Sequence, residues 1–287
     1  MSDDISRKLD EYIRNMPSLP TTVSKVLEVC NNPNTSPADL NHVISLDPVL
    51  VGRVLKLINS AYYGLGQQVT SLVRAIIMLG INTVKNLALS TAVLGNLSSK
   101  KDFQALNMEG FWRHSLCVGV AAKIIARKRG IDPKLGDEYF TAGLLHDIGK
   151  IPFGAVLSKE YMLTIALSDR ERIPLHQAEA GTLGIDHCGV GKMIVQAWRL
   201  DGAVGDAIVY HHSLEVYEGE HRDVLYSTAV ANRFAEIMEI GFSGNRCPDK
   251  VSQEVWEYLG ITRDIYDEIE PVVNGEIEKA KVFLRLQ

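Results

Sequence analysis

Apolar residues recur at three- and four-residue intervals through almost every segment long enough to judge, while runs of alternating β-branched residues are nearly absent. A chain with that one period has helices to build with and little else, so the expected fold class is all-α. Helix starts are marked in the residues themselves. Ser36-Pro37-Ala38-Asp39 offers a capping serine, a proline at the first helical position and an acid at the third. Asp47-Pro48 repeats the device ahead of Val49 to Ser60. Between Leu72–Leu79 and Thr83–Leu94 stands Gly80, suited to the positive φ that ends a helix.

The pattern divides the chain into an N-terminal helical subdomain, residues 1–100, and a second helical subdomain, residues 108–240. The polar run Asn96 to Asn107 connects them. Residues 241–287 then read as a loop, Gly241 to Asp249, and a helical tail from about Ser252 to Leu286, expected to pack on the same unit. With 287 residues, 46% of them hydrophobic and 23% charged, there is material for a substantial core. A formal charge of -5 argues against a general nucleic-acid binder, which needs a dense basic surface. No segment approaches the ~18 uninterrupted apolar residues of a membrane span, and the start lacks the apolar core of a signal peptide. A cytoplasmic protein with no membrane partner is the expectation. Cys30, Cys117, Cys188 and Cys247 show no C-x-x-C spacing, so free thiols are expected.

Function is written in the histidines. Residues 141–150, Thr-Ala-Gly-Leu-Leu-His-Asp-Ile-Gly-Lys, set an imidazole and a carboxylate side by side at the end of an apolar helix, three residues before Lys150. His114 lies in the preceding helix, Phe111 to Arg127, which the loop Gly130 to Gly136 reverses, so the two sites can face each other. His187 opens the segment through Trp198, and His211-His212 closes the helix Ala203 to Tyr210. Imidazole nitrogen with carboxylate oxygen suits a borderline divalent ion, and adjacent residues fan by about 100° on a helix, which lets Asp147 bridge two ions. Each residue has a plainer use. His114 could hydrogen-bond a neighbour, His211-His212 could complement a helix dipole, Lys150 could be a solvated lysine, and Cys117 and Cys188 could be small buried thiols. His42 and His221 read as surface residues, and His176 is a weaker candidate than His187.

The ordered set His114, His146-Asp147 with Lys150, His187 and His211-His212 resembles the HD superfamily of metal-dependent phosphohydrolases. Pro17-Ser-Leu-Pro20, Val43-Ile-Ser-Leu-Asp-Pro48, Leu57-Ile-Asn-Ser-Ala-Tyr-Tyr-Gly64 and Arg74-Ala-Ile-Ile-Met-Leu-Gly80 resemble its HDOD branch, bacterial signalling modules, over roughly residues 10 to 240. The resemblance implies an HD-like helical bundle with an N-terminal HDOD layer. It also implies one or two divalent transition-metal ions, iron or manganese first, zinc or nickel next. The implied ligands are His114, His146, Asp147, His187, His211, His212 and, where the catalytic HD pattern has a late aspartate, Asn232. The neutral Asn232 removes one anionic ligand and puts catalysis in question. The Gly-Tyr-Pro motif of relatives that hydrolyse cyclic di-GMP is missing after His212, where Ser213-Leu-Glu-Val follows. No receiver or cyclase-like segment accompanies the pattern, so a stand-alone module is expected.

Two functions follow from this resemblance. The first is a signalling module that acts through a protein partner or a small phosphorylated ligand. The second is an active phosphohydrolase on a nucleotide or phosphoester, with Asp147 holding the ions and Lys150 contacting the phosphate. A third reading, Ala75 to Leu87 as a DNA-reading helix-turn-helix, is weakened by having only Arg74 and Lys85 as basic residues. Arg127-Lys-Arg129 is more simply a solvated helix end. Oligomeric state is not written in the sequence.

Overall fold

The computed structural model describes residues 2–97 and 105–286 and contains no strand among them. Its first helices are α1 (Ser2–Asn15), α2 (Thr21–Cys30), α3 (Pro37–Ser45), α4 (Pro48–Ile58), α5 (Leu72–Leu79) and α6 (Ile81–Leu97). The predicted caps form as written. Ser36 Oγ accepts from the Asp39 backbone N–H while Asp39 Oδ2 accepts from Ser36 N, and Asp47 Oδ1 accepts from Leu50 N at 2.9 Å. Gly80 takes φ 91°, and α5 and α6 meet there at 117°. No single helix among the described residues is long and apolar enough to cross a membrane. Most of the polar connection expected over 96–107 lies outside the described residues.

The histidine-bearing helices follow: α7 (Met108–Lys128), α8 (Gly136–Leu145), α9 (Lys150–Val156), α10 (Ser158–Glu171), α11 (Leu175–Leu183), α12 (His187–Trp198), α13 (Ala203–Tyr210) and α14 (Arg222–Ile237). The tail is α15 (Gln253–Leu259), α16 (Ile265–Ala280) and a 3-10 turn, Lys281–Leu286. α7 and α8 form the central pair, flanked by α14, α13 and α6, and α16 lies along α7. Two glycines set the α7–α8 spacing. A Cβ on Gly143 would meet the Gly119 backbone at 2.7 Å, and a Cβ on Gly119 would meet Phe140 O at 2.7 Å. Only glycine permits this approach, which brings the imidazoles of His114 and His146 within 5.6 Å, centroid to centroid.

The early helices cover this block from behind. α6 packs on α8, α1 packs on α9 and α12, and Trp198 Nε1 donates to Pro17 O at 3.1 Å. At one junction Lys123 Nζ donates to Asp137 Oδ1 at 2.7 Å, Tyr63 Oη donates to the same oxygen, and Lys123 lies over the Tyr62 ring. The Tyr62-Tyr63 pair of the sequence signature therefore fastens the N-terminal helices to the start of α8, whose far end carries His146-Asp147. The DNA-reading alternative finds no support in the packing. Val84, Leu87 and Ala88 are buried, and Lys85 is paired with Glu138. Arg129 is not a solvated helix end. It pairs with Asp223 at 2.6 Å and donates to Leu259 O, because the tail returns across the end of α7.

Candidate metal centre

Asp147 sits in the turn between α8 and α9, fully buried, with the α12 N-terminus against it. That turn is pressed so closely on α12 that a Cβ at Gly149 would lie 1.9 Å from His187 O. The two carboxylate oxygens face different groups. Oδ2 is 3.4 Å from His146 Nε2, 3.8 Å from His114 Nε2 and 2.7 Å from Lys150 Nζ. Oδ1 is 3.3 Å from His187 Nε2 and 3.6 Å from His211 Nε2, and those two nitrogens are 3.3 Å apart. Asn232, on α14, places Oδ1 2.9 Å from His114 Nε2. Five histidines were expected around Asp147, and the structure brings four of them there with Lys150 and Asn232.

Three of those rings are aimed by their outer nitrogens. His146 Nδ1 donates to Gly143 O at 2.7 Å, His211 Nδ1 to Ala207 O at 2.9 Å and His187 Nδ1 to Glu179 Oε2 at 2.6 Å. A carbonyl oxygen only accepts, so those Nδ1 atoms carry the proton, and in the neutral ring each Nε2 presents a lone pair inward. Glu179 also accepts from Tyr161 Oη and from His187 N, so it serves as a carboxylate acceptor, with burial holding its pKa up to about 7. Burial pushes the pKa of His114 down to about 4 and those of His146 and His187 well below the ordinary histidine value. Burial opposes the charge on Asp147, but His146 and Lys150 outweigh it and hold the carboxyl well below the usual range.

Lone pairs and a carboxylate thus converge in a site almost closed to water. Asp147 Oδ1 and His146 Nε2 are buried with no hydrogen-bond partner, an arrangement that costs free energy unless something positive is shared. A divalent ion fits it. At about 2.1 Å from each donor, neighbouring ligand atoms stand about 3.4 Å apart in a tetrahedron, and the separations of 3.3 to 3.8 Å between Asp147 and the imidazole nitrogens lie at or just beyond that edge. The outward Nδ1 bonds are the orienting shell that metal-binding histidines need.

His212 lies beside His211, ring centroids 4.3 Å apart, and joins His176 and Asp249 in a second group whose spacing could also hold an ion. Its Nδ1 bonds Asp249 Oδ2 at 2.6 Å, its ring stacks on His176 at 4.4 Å, and His176 Nε2 lies 3.2 Å from the same oxygen. His176, a weaker candidate than His187 in the sequence, is a member of this second cluster, and Asp249 is a partner the sequence reading did not single out. His221 is half-buried on Asp206 and is not a free surface residue, whereas His42 is exposed. Lys150 is 1% exposed, so it is no solvated lysine. Cys117 is buried in the core of α7, while Cys188 lies against His211, and all four cysteines are free.

A cleft of about 260 Å³ reaches this region from the α14 side. Its walls include His211, His212, Asn232, Arg233, Glu236 and Asp249, and none of its lining residues comes from the N-terminal helices. The volume is below the roughly 300 Å³ at which small-molecule pockets usually begin.

Comparison with known proteins fits this geometry. An uncharacterized protein of Treponema pallidum (strain Nichols) is 25% identical over 228 residues, 79% of this chain, which spans only 44% of that protein's length. The crystal structure of an HDOD domain protein of unknown function from Geobacter sulfurreducens superposes with a TM-score of 0.77 at 26% identity, covering 98% of this chain and 97% of its own. A Marinobacter aquaeolei protein provisionally named for signal transduction has a TM-score of 0.74 at 22% identity, covering 98% of this chain and 66% of its own, and speaks to fold alone. Residues 16–214 match the HDOD domain, and the chain belongs to the HDOD domain family.

Proposed function

We propose that this chain is a signal-transduction module whose closed metal centre senses or stabilises a conformational state passed to a protein partner or a small phosphorylated ligand. The observation that carries the reading is the inward set of lone pairs around a carboxylate oxygen that has no partner, in a site almost wholly buried. His114, His146, Asp147, His187 and His211 would hold one or two divalent transition-metal ions, with Asn232 as a neutral ligand beside His114. Bound there, an ion would supply positive charge and Lewis acidity. The α8 helix links the centre to the N-terminal helices through Asp137, Lys123 and Tyr63, a physical route by which occupancy could be reported.

The second reading, hydrolysis of a nucleotide or phosphoester, is favoured by the cleft that reaches His211 and Asn232. In it Lys150 would turn its ammonium from Asp147 to the phosphate as a point charge, and the cleft would have to widen for a nucleotide. Metal analysis combined with a phosphoester screen separates the two readings. The module binds metal with no turnover, and its N-terminal helices change hydrogen exchange on metal loading. Turnover that disappears in Asp147→Ala would replace the module with the enzyme.

A further inference from the structure

A cavity of about 420 Å³ lies where the N-terminal helices, the α7–α8 loop and α16 meet. It is larger than the cleft beside the metal centre and falls within the range of small-molecule sites. Val120, Ile124 and Arg127 recur at three- and four-residue spacing, so one face of α7 runs along it. Ile131 of the loop, Val272 of α16 and the Tyr62 ring of the N-terminal helices extend the wall. Val272 keeps 44% of its surface exposed there, although most of the other apolar groups of the wall are buried.

The charges on this wall are engaged, with one exception. Lys123 Nζ donates to Asp137 Oδ1 at 2.7 Å and to Tyr62 Oη at 3.3 Å. Asp132 Oδ1 accepts from Lys134 N at 2.9 Å, and Glu276 Oε1 accepts from Lys279 Nζ at 2.8 Å. The Arg127 guanidinium, exposed in the last turn of α7, has no hydrogen-bond or ion-pair partner among the described residues.

We infer that this cavity binds a small monocarboxylate with an apolar body, its carboxylate on Arg127 and its body against Ile124, Val272 and the Tyr62 ring. A carboxylate matches the two-pronged donor edge of a guanidinium. A single negative charge is selected because Asp132 and Glu276 stand on the same wall and repel a dianion such as a phosphate monoester. The site lies apart from the metal centre and stands whether or not an ion binds there. Tyr62 and Lys123 also belong to the junction that fastens the N-terminal helices to α8, so an occupant touches three parts of the chain at once and steadies that junction.

Anilinonaphthalene sulfonate, an aromatic monoanion that fluoresces on leaving water, reports the site in the full-length protein. Saturable binding of one equivalent is expected, displaced by indole acetate or decanoate and not by decylamine. Displacement by indole acetate alone identifies an aromatic acid, and by decanoate alone an acyl acid. Arg127→Glu and Val272→Glu, both at exposed positions where the fold tolerates a charge, should weaken the probe at least about tenfold. Ile77→Ser, which alters an exposed apolar residue outside the cavity, should leave it unchanged. The bound probe should also slow hydrogen exchange around Tyr62. Absence of saturable binding, equal displacement by decylamine, unchanged affinity in both cavity variants, or unchanged exchange around Tyr62 overturns the inference.

Discussion

Two histidine–carboxylate clusters lie side by side in this molecule, and they are chemically opposite. Around Asp249, His212 Nδ1 and His176 Nε2 point N–H groups at a carboxylate, and its side chain remains 35% exposed. Around Asp147 the Nδ1 protons of His146, His211 and His187 point outward to Gly143 O, Ala207 O and Glu179, so three lone pairs face the carboxylate and the group is almost wholly buried. Both have donor atoms spaced as an ion would need, but only the second buries a carboxylate oxygen and an imidazole nitrogen with no hydrogen-bond partner. Counting histidines does not separate them, whereas following each proton to its acceptor does.

The largest expected contrast is energetic. Asp147→Ala strands the buried Lys150 ammonium and should destabilise the metal-free protein by about 3–5 kcal/mol in denaturant unfolding. Asp249→Ala removes a partly exposed pair and should cost about 1 kcal/mol or less. Equal losses would erase the distinction between the clusters.

Next is metal affinity. Glu179→Gln leaves the shape of the site but weakens the acceptor that fixes the His187 tautomer, so zinc affinity should fall by about 10- to 100-fold in chelator competition. Asp249→Asn should leave affinity within about twofold, since neither Asp249 nor His176 orients a ligand of the Asp147 centre. A large loss in Asp249→Asn would place His212 back among the ligands.

One histidine from each cluster, His114 and His176, differ in the sign of their pH response. His114 is ordinary at 6.5 in the unfolded chain and about 4 when buried, so the unfolded state binds more protons between those values. Metal-free stability should therefore fall as pH drops from 6.5 towards 4. His176 moves the other way. Burial lowers its pKa, but hydrogen bonding to Asp249 outweighs burial and raises it. Its contribution is full below 6.5 and is lost as pH rises through the raised value. Proton NMR of the His176 ring should titrate above 6.5 in the parent and lower in Asp249→Asn, and an unchanged midpoint would remove Asp249 as the cause. The smallest effect is expected at His42, exposed and outside both clusters, where His42→Ala should leave stability within about 0.5 kcal/mol.

Part of the fold was legible because several helix starts carry their own chemistry. Ser36-Pro37 and Asp47-Pro48 cap where their side chains can reach, whatever the tertiary structure. The order of the histidines was legible too, since His114 and His146 lie on consecutive antiparallel helices. Other contacts were hidden because they join residues that are remote or silent in sequence. Asp249 lies in a loop 37 residues after His212, and Glu179 is a single acid within α11. The burial of Lys150 follows from the Gly149 contact with α12, which no local pattern announces. One signal was available. Neighbouring residues at a helix end diverge by about 100°, so His211 and His212 could not both point at one oxygen.

The most direct test is elemental analysis of protein purified without chelators or a histidine tag, with Asp147→Ala and Asp249→Ala beside the parent. A centre built as described holds one or two equivalents of transition metal in the parent and in Asp249→Ala, and none in Asp147→Ala. Metal retained in Asp147→Ala, or none in the parent even after anaerobic reconstitution with iron, manganese and zinc, would contradict it.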